Sequence, residues 1–354
     1  MQLTEKRIFQ TDKPLTLESG ITIPGYSLAY TTLGKQDAGQ SNVVWIFHAL
    51  TANSDPSEWW PGLVGEGKLF DPSRHFIICV NMPGSCYGST GPLSENPATG
   101  EPWYHSFPFF TPRDMIRAYQ PLKDELGIGK IHIGIGGSMG GQQLLEWATE
   151  EPNLFEHIIP IATNAVHSSW GRAFNASQRM CIEADPSWTE NDASAGLKGM
   201  EVARSIALLS YRHYDSYQQT QQDDDGLENF RSESYQRYQG QKLARRFNAF
   251  SYYALSKGMD SHNLGRGRGD VIKALNTIKA ATLSIGVESD VLYPVDEQKF
   301  IANHIPGARY ATIDSLYGHD GFLLEYEKIE TLIRDFIKEE KETFSISKKE
   351  HGRA

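Results

Sequence analysis

Three polar side chains in this sequence have the types and order needed for covalent acyl chemistry. Ser138 lies in Gly136-Gly137-Ser138-Met139-Gly140, which fits Gly-x-Ser-x-Gly. A serine hydroxyl is a weak nucleophile until a base takes its proton, and that base needs an acid to orient it. Asp290 closes Gly286-Val287-Glu288-Ser289-Asp290, and His319 sits in Tyr317-Gly318-His319-Asp320-Gly321. Glu288, Asp296 and Asp320 compete with Asp290 as the acid, and His262 and His304 compete with His319 as the base. The tetrahedral intermediate also needs N–H donors for its oxyanion. One is the N–H of Met139, after the nucleophile. The second is expected from the loop 48–51, at Leu50, with Ala49 as the near alternative.

These residues need a frame that carries them to one end of a sheet. Segments 43–47, 76–80 and 131–135 are short continuous apolar runs, as expected of strands buried on both faces. Segment 111–126 has helical spacing, with Thr111-Pro112 as its start. Pro121 inside it predicts a kink. Further strands are expected at 158–162, 281–287 and 309–313, and a last helix at 323–338, followed by a charged tail expected to fray. Strands separated by helices imply a mostly parallel sheet. Ser138 then falls where a strand becomes a helix, which is the nucleophile elbow of the α/β-hydrolase fold, and serine, acid and histidine follow in that fold's order. Asp290 and His319 both fall just beyond strands, where such sheets keep their active sites. A glycine-rich turn holding a phosphate is the competing reading of the elbow. It lacks both the Gly-x-Gly-x-x-Gly spacing and a P-loop lysine.

From 167 to 270 the pattern changes to polar, Tyr- and Gln-rich sequence without convincing strands. Helical pieces are expected at 196–211 and 234–257, with a polar, acidic break at 218–225. Unstructured connections of about a hundred residues are rare in compact domains. The expectation is therefore a core of 1–166 and 271–354 with a helical lid inserted at 167–270.

Composition narrows the function. Among 354 residues, 39% are hydrophobic and 22% charged, and the formal charge is −10. That balance fits a soluble globular chain and disfavours phosphate-backbone binding, so no nucleic-acid partner is expected. No apolar run approaches the length that spans a bilayer. The three cysteines, Cys79, Cys86 and Cys181, form neither a disulfide framework nor a zinc spacing. The first ten residues lack the apolar core of a signal peptide, so a cytoplasmic location is expected. No metal and no tightly bound cofactor is indicated.

Several stretches together resemble the homoserine O-acetyltransferase family. They are Asn81-Met82-Pro83-Gly84-Ser85-Cys86-Tyr87-Gly88-Ser89-Thr90-Gly91-Pro92, Asn96-Pro97-Ala98-Thr99-Gly100, His48-Ala49-Leu50-Thr51 and the elbow. In the lid, Glu233-Ser234-Tyr235, Tyr238-Gln239-Gly240 and Arg246-Phe247-Asn248-Ala249 carry the likeness, and near the end Ser289-Asp290 and 318–323 do. The resemblance implies ping-pong transfer of an acetyl group from acetyl-CoA, a co-substrate, to the hydroxyl of L-homoserine, a step toward methionine. Ser138 would carry the acetyl group, His319 would act as base, and Asp290 would orient it. It also implies a homodimer, and it assigns Arg204 to the substrate carboxylate and Asp320 to its ammonium. Met200 and Leu208, four residues to either side, and Tyr211 give Arg204 a stripe that suits a residue pointing into a cleft; a snorkelling surface arginine and a loop-capping aspartate are the competing readings of Arg204 and Asp320. Ala52, Pro83, Ser85, Trp103-Tyr104-His105 and Asn248 depart from the usual pattern. They leave succinyl-CoA as donor, serine as acceptor, or water as acceptor in an esterase, as alternatives.

Overall fold

The computed structural model describes residues 6–223 and 226–351, and of the side chains at 341 and 343–351 nothing is said. Ten strands are present among the described residues: β1 (Lys6–Thr11), β2 (Leu15–Thr16), β3 (Thr22–Ile23), β4 (Tyr26–Leu33), β5 (Val43–Phe47), β6 (Phe76–Val80), β7 (Ile131–Gly137), β8 (Phe155–Ile161), β9 (Ala281–Val287) and β10 (Arg309–Ile313). The helices are α1 (Pro56–Trp59), α2 (Pro112–Glu125), α3 (Met139–Glu150), α4 (Ser169–Glu183), α5 (Leu197–Tyr211), α6 (Tyr214–Thr220), α7 (Arg231–Ala244), α8 (Ala249–Asp260), α9 (Val271–Asn276), α10 (Val295–His304), α11 (Gly321–Leu324) and α12 (Tyr326–His351).

An eight-stranded sheet runs β1-β4-β6-β5-β7-β8-β9-β10. β1, β4 and β6 pair antiparallel, and every pairing from β6 to β10 is parallel. β7, which leads into Ser138, lies between β5 and β8 near the middle. Side chains alternate across the sheet. On β5, Val43, Trp45 and Phe47 enter one apolar cluster with Tyr119 of α2 and Trp147 of α3. Val44 and Ile46 enter the other, with Trp60, Phe70 and the α12 residues Ile329 and Ile333. Both faces are covered, so β5 and β6 read as unbroken apolar runs.

α2 begins on a capping box in which Thr111 and Asp114 satisfy each other's backbone N–H groups. It then runs as one helix through Pro121. Pro121 does not break it. Tertiary burial of Met115, Ile116, Ala118, Tyr119 and Leu122 holds the helix where propensity alone would break it.

Between β8 and β9 every named element is helical. The piece expected at 234–257 is two helices, α7 and α8, because Asn248 turns extended and caps Ser251 N–H. α6 occupies the start of the expected acidic break, and residues 224 and 225 lie outside the described ones. The inserted segment leaves and rejoins the sheet layer at one place. His167 N–H donates to His262 O at 3.0 Å, Leu264 N–H to Ala165 O at 3.0 Å, and Val166 bridges Asn263. The last helix exceeds the expected end at Lys338 and continues to His351, so the segment expected to fray is helical up to there. No described helix is long and apolar enough to cross a membrane.

Candidate active site

The elbow is built by close backbone approach. Ser138 has φ 56° and ψ −126°, a conformation L side chains avoid. Such strain costs roughly 1–3 kcal/mol and persists only where surroundings over-determine it. Here Ser138 N–H donates to Ile161 O, and Ser138 O accepts from Thr163 Oγ1 at 2.7 Å. A Cβ on Gly136 would lie 2.6 Å from the Gly140 carbonyl carbon, and one on Gly140 would strike the Phe47 carbonyl oxygen. The first turn of α3 thus touches the end of β5, where the 48–51 loop begins.

That loop is locked by a buried histidine. His48 Nδ1 lies 2.9 Å from Ala49 O, and its Nε2 accepts from Met82 N–H at 3.1 Å. Burial pushes its pKa down to about 4, so the ring is neutral and Nδ1 carries the hydrogen. The Ala49 carbonyl and the Leu50 N–H share one trans peptide and point opposite ways. Fixing the carbonyl therefore fixes the N–H. Met139 is the first residue of α3, where helical N–H groups lack intrahelical acceptors.

Asp290 and His319 are paired. Asp290 Oδ2 stands 2.6 Å from His319 Nδ1, and Oδ1 accepts the N–H groups of Leu292 and Tyr293, each at 2.8 Å. Both side chains are buried, at 0% and 4% exposure. With Nδ1–H directed at the carboxylate, Nε2 is left as the basic nitrogen. His319 lies in a 3₁₀ turn (Gly318–Asp320) beyond β10. Phe322 packs edge-on to the His319 ring at 5.2 Å and lies where a Gly137 side chain would be, which joins the histidine turn to the nucleophile strand. Trp60 holds Phe322 in turn, donating Nε1–H to its carbonyl at 2.9 Å.

Three of the rivals, His262, His304 and Asp296, make their contacts elsewhere. His262 is buried with Nε2 3.0 Å from Asn164 O, and His304 lies on α10 with Nδ1 2.8 Å from Phe300 O. Asp296 pairs with Lys299 at 3.1 Å on that same helix.

The two charged candidates come to the site from different elements. Asp320 follows His319 directly. Arg204, half-buried on α5, stacks its guanidinium over Tyr211 at 5.3 Å, and the Tyr211 ring lies 5.7 Å from His319. Burial pushes the Asp320 carboxyl pKa up, while Arg212 and Arg204 pull it down. Two neighbours escaped the sequence reading. Arg212, at the C-terminal cap of α5, lies 3.0 Å from Asp320. Tyr293 stacks on His319 at 5.1 Å. Tyr293 follows Asp290 by three residues, the spacing at which a backbone N–H returns to an aspartate side chain, so a signal was present. Arg212 had none beyond its place next to Tyr211.

Elsewhere, His132, Glu156 and His157 bring ligand atoms within 4.8 Å of one another. They lie on β7 and β8 toward the strand starts, opposite the end that carries Ser138. His132 Nδ1 and Glu156 Oε2, 2.7 Å apart, pair with each other.

A family profile described as alpha/beta hydrolase fold matches residues 42–326. The homoserine O-acetyltransferase of Cyclobacterium marinum is 48% identical over 340 residues, covering 96% of this chain and 97% of the relative. That of Chlorobaculum tepidum is 41% identical over 337 residues, with 94% of each chain covered. The chain belongs to the homoserine O-acetyltransferase family. The crystal structure of the family's Bacillus anthracis member superposes with a TM-score of 0.86 at 25% identity, over 95% of this chain and 98% of that one. The mostly parallel sheet, the elbow and the helical insertion are thus features of an α/β-hydrolase-fold member of this family.

Proposed function

We propose that this protein is a homoserine O-acetyltransferase that carries the acetyl group on Ser138, with acetyl-CoA as donor. His319 Nε2 takes the serine proton as Oγ attacks the thioester carbonyl. The N–H groups of Leu50 and Met139 receive the oxyanion, and coenzyme A departs as the thiol with the proton from His319. Homoserine then enters, gives its hydroxyl proton to His319, and attacks the acyl-serine. Asp290 holds the ring and stabilises the imidazolium in both halves.

One observation supports a transferase over a hydrolase. A half-buried acidic side chain, Asp320, directly follows the base, with two arginines acting on it. A site that only admitted water would have no use for such charges, whose burial is costly. A zwitterionic amino acid supplies partners for them: its ammonium for Asp320 and its carboxylate for Arg204.

Thiol release with purified protein tests this reading. Acetyl-CoA and succinyl-CoA are each offered homoserine, serine or no acceptor. Release from acetyl-CoA that depends on homoserine is expected. Equal release without an acceptor would make the protein an esterase. The Tyr-rich insertion favours a homodimer. Light scattering should then give twice the 39.7 kDa chain mass.

A further inference from the structure

At the starts of β7 and β8, the end of the sheet away from Ser138, His132, Glu156 and His157 each bring one ligand atom within 4.8 Å of the others. Twenty-four residues separate His132 from Glu156, so only the pairing of the two strands assembles the cluster. His157 is 3% exposed, and its Nδ1 lies 3.1 Å from His132 O. A nitrogen facing a carbonyl must carry its hydrogen, so the lone pair of this ring is on Nε2. A histidine that gives one N–H to a backbone carbonyl and keeps the other nitrogen basic is held as metal-bound histidines are. Burial lowers the His157 pKa, which keeps that lone pair free of a proton. The His132 ring stands edge-on to His157, with centroids 5.1 Å apart and planes at 84°. Glu156 Oε2 lies 2.7 Å from His132 Nδ1, and that hydrogen bond holds the carboxyl below its ordinary pKa.

The His132–Glu156 contact involves two of the three groups. A divalent ion engages all three. Two imidazoles and one carboxylate suit a borderline transition ion such as zinc, since magnesium and calcium prefer oxygen donors. Ligands about 2.1 Å from a tetrahedral ion stand roughly 3.4 Å apart, so the His132–Glu156 contact has to open by about 0.7 Å. Glu156 is 51% exposed and free to make that adjustment. Lys130, whose charge acts on Glu156, donates its ammonium to Asn153 O at 2.9 Å. His132 also lines a cavity of about 750 Å³ together with His75, whose buried Nδ1 has no hydrogen-bond partner among the described residues. The cavity gives an entering ion its path.

We propose that His132, Glu156 and His157 bind one divalent transition-metal ion of the zinc class, which clamps the start of β7 to that of β8. Water completes the coordination. Six residues of strand, at roughly 3.3 Å each, put the site about 20 Å from Ser138. The ion therefore braces the sheet and takes no part in acyl transfer.

The test is equilibrium dialysis of tag-free, metal-stripped protein against Zn²⁺, paired with thermal melting. One zinc per chain is expected, with Kd below about 10 μM. The melting temperature should rise by about 3 °C at a hundredfold excess over Kd. His132→Gln and Glu156→Gln should each weaken binding at least about tenfold. The double variant should bind no zinc and lose the melting shift, while His304→Gln, on α10, should behave as wild type. Cobalt loaded in place of zinc should give wild-type protein the visible absorption of mixed nitrogen and oxygen coordination, a readout that needs no variant. Zinc bound equally by wild type and the double variant would place the ion elsewhere and overturn the proposal. So would the absence of binding below about 100 μM free zinc.

Discussion

Arg212 Nε stands 3.0 Å from Asp320 Oδ2, at the distance of a hydrogen bond but without its direction. Charge rather than geometry therefore binds the pair. Burial alone would leave Asp320 protonated more readily than an ordinary aspartate, and Arg212 is the stronger of the two arginines opposing that.

Arg212→Gln should therefore weaken acceptor binding without touching the first half-reaction. The KM for homoserine is expected to rise roughly tenfold, equivalent to one lost charge interaction. Thiol burst with acetyl-CoA should stay near wild type. The acidic limb for homoserine use should also move up in pH, because the carboxyl now protonates earlier as pH falls. Steady-state kinetics at several pH values check both points. An unchanged KM would mean Asp320 keeps its charge without Arg212.

His48→Ala should act through a peptide rather than a side chain. With Ala49 O no longer held, the Leu50 N–H loses its fixed direction. Loss of one oxyanion donor costs about 100-fold or more in kcat. The freed Met82 N–H adds a stability cost of roughly 1–3 kcal/mol. Turnover measured below the melting temperature separates the two. A stable variant with full kcat would remove Leu50 from the oxyanion site.

Acid should destabilise the fold through three histidines. His48 and His167 are pushed down to about 4 and His262 to about 3, from an ordinary 6.5, each chiefly by burial. These folded-state pKa values are depressed. The stabilisation from keeping the rings neutral is therefore complete above about 6.5 and is lost as pH falls through 4. Melting temperature should decline across that window, with net proton uptake on unfolding. Calorimetry in buffers of differing ionisation heat measures that uptake.

Arg113→Met should be among the costlier single changes. Arg113 joins Glu18 at 2.8 Å and Glu146 at 3.1 Å, and Glu146 is 1% exposed. Removing the cation leaves two carboxylates facing Arg266 and Arg268 alone. Breaking such a buried pair costs roughly 3–5 kcal/mol. Urea denaturation reads the loss directly, and a shift under about 1 kcal/mol would show that Arg266 and Arg268 compensate.

What the sequence discloses depends on how each element is buried. β5 and β6 are readable to the residue because two covered faces leave no polar alternation. β9 and β10 are readable from the apolar residues that alternate with Thr282, Ser284 and Thr312. β1 is missed because Phe9 is its one buried residue and most of its side chains face water. α4 is missed because its core-facing positions include Gly171, Asn175 and Gln178, which carry no apolar signal. The Asp290–His319 pairing is legible from chain order, since both lie just past strands of one parallel sheet. Arg212 is not, because its partner lies more than a hundred positions away and only tertiary contact joins them.

The insertion leaves and rejoins the sheet layer at one neck, where His167 pairs with His262 and Ala165 with Leu264. Arg204 and Arg212 belong to the piece beyond that neck, while Asp320, Asp290, His319 and Ser138 belong to the frame. The groups proposed to perform the bond-making thus belong to a different stretch of chain from those proposed to grip the acceptor's carboxylate. An ancestor could have replaced the whole helical piece through two adjacent junctions and met a new acceptor with its nucleophile, base and acid undisturbed.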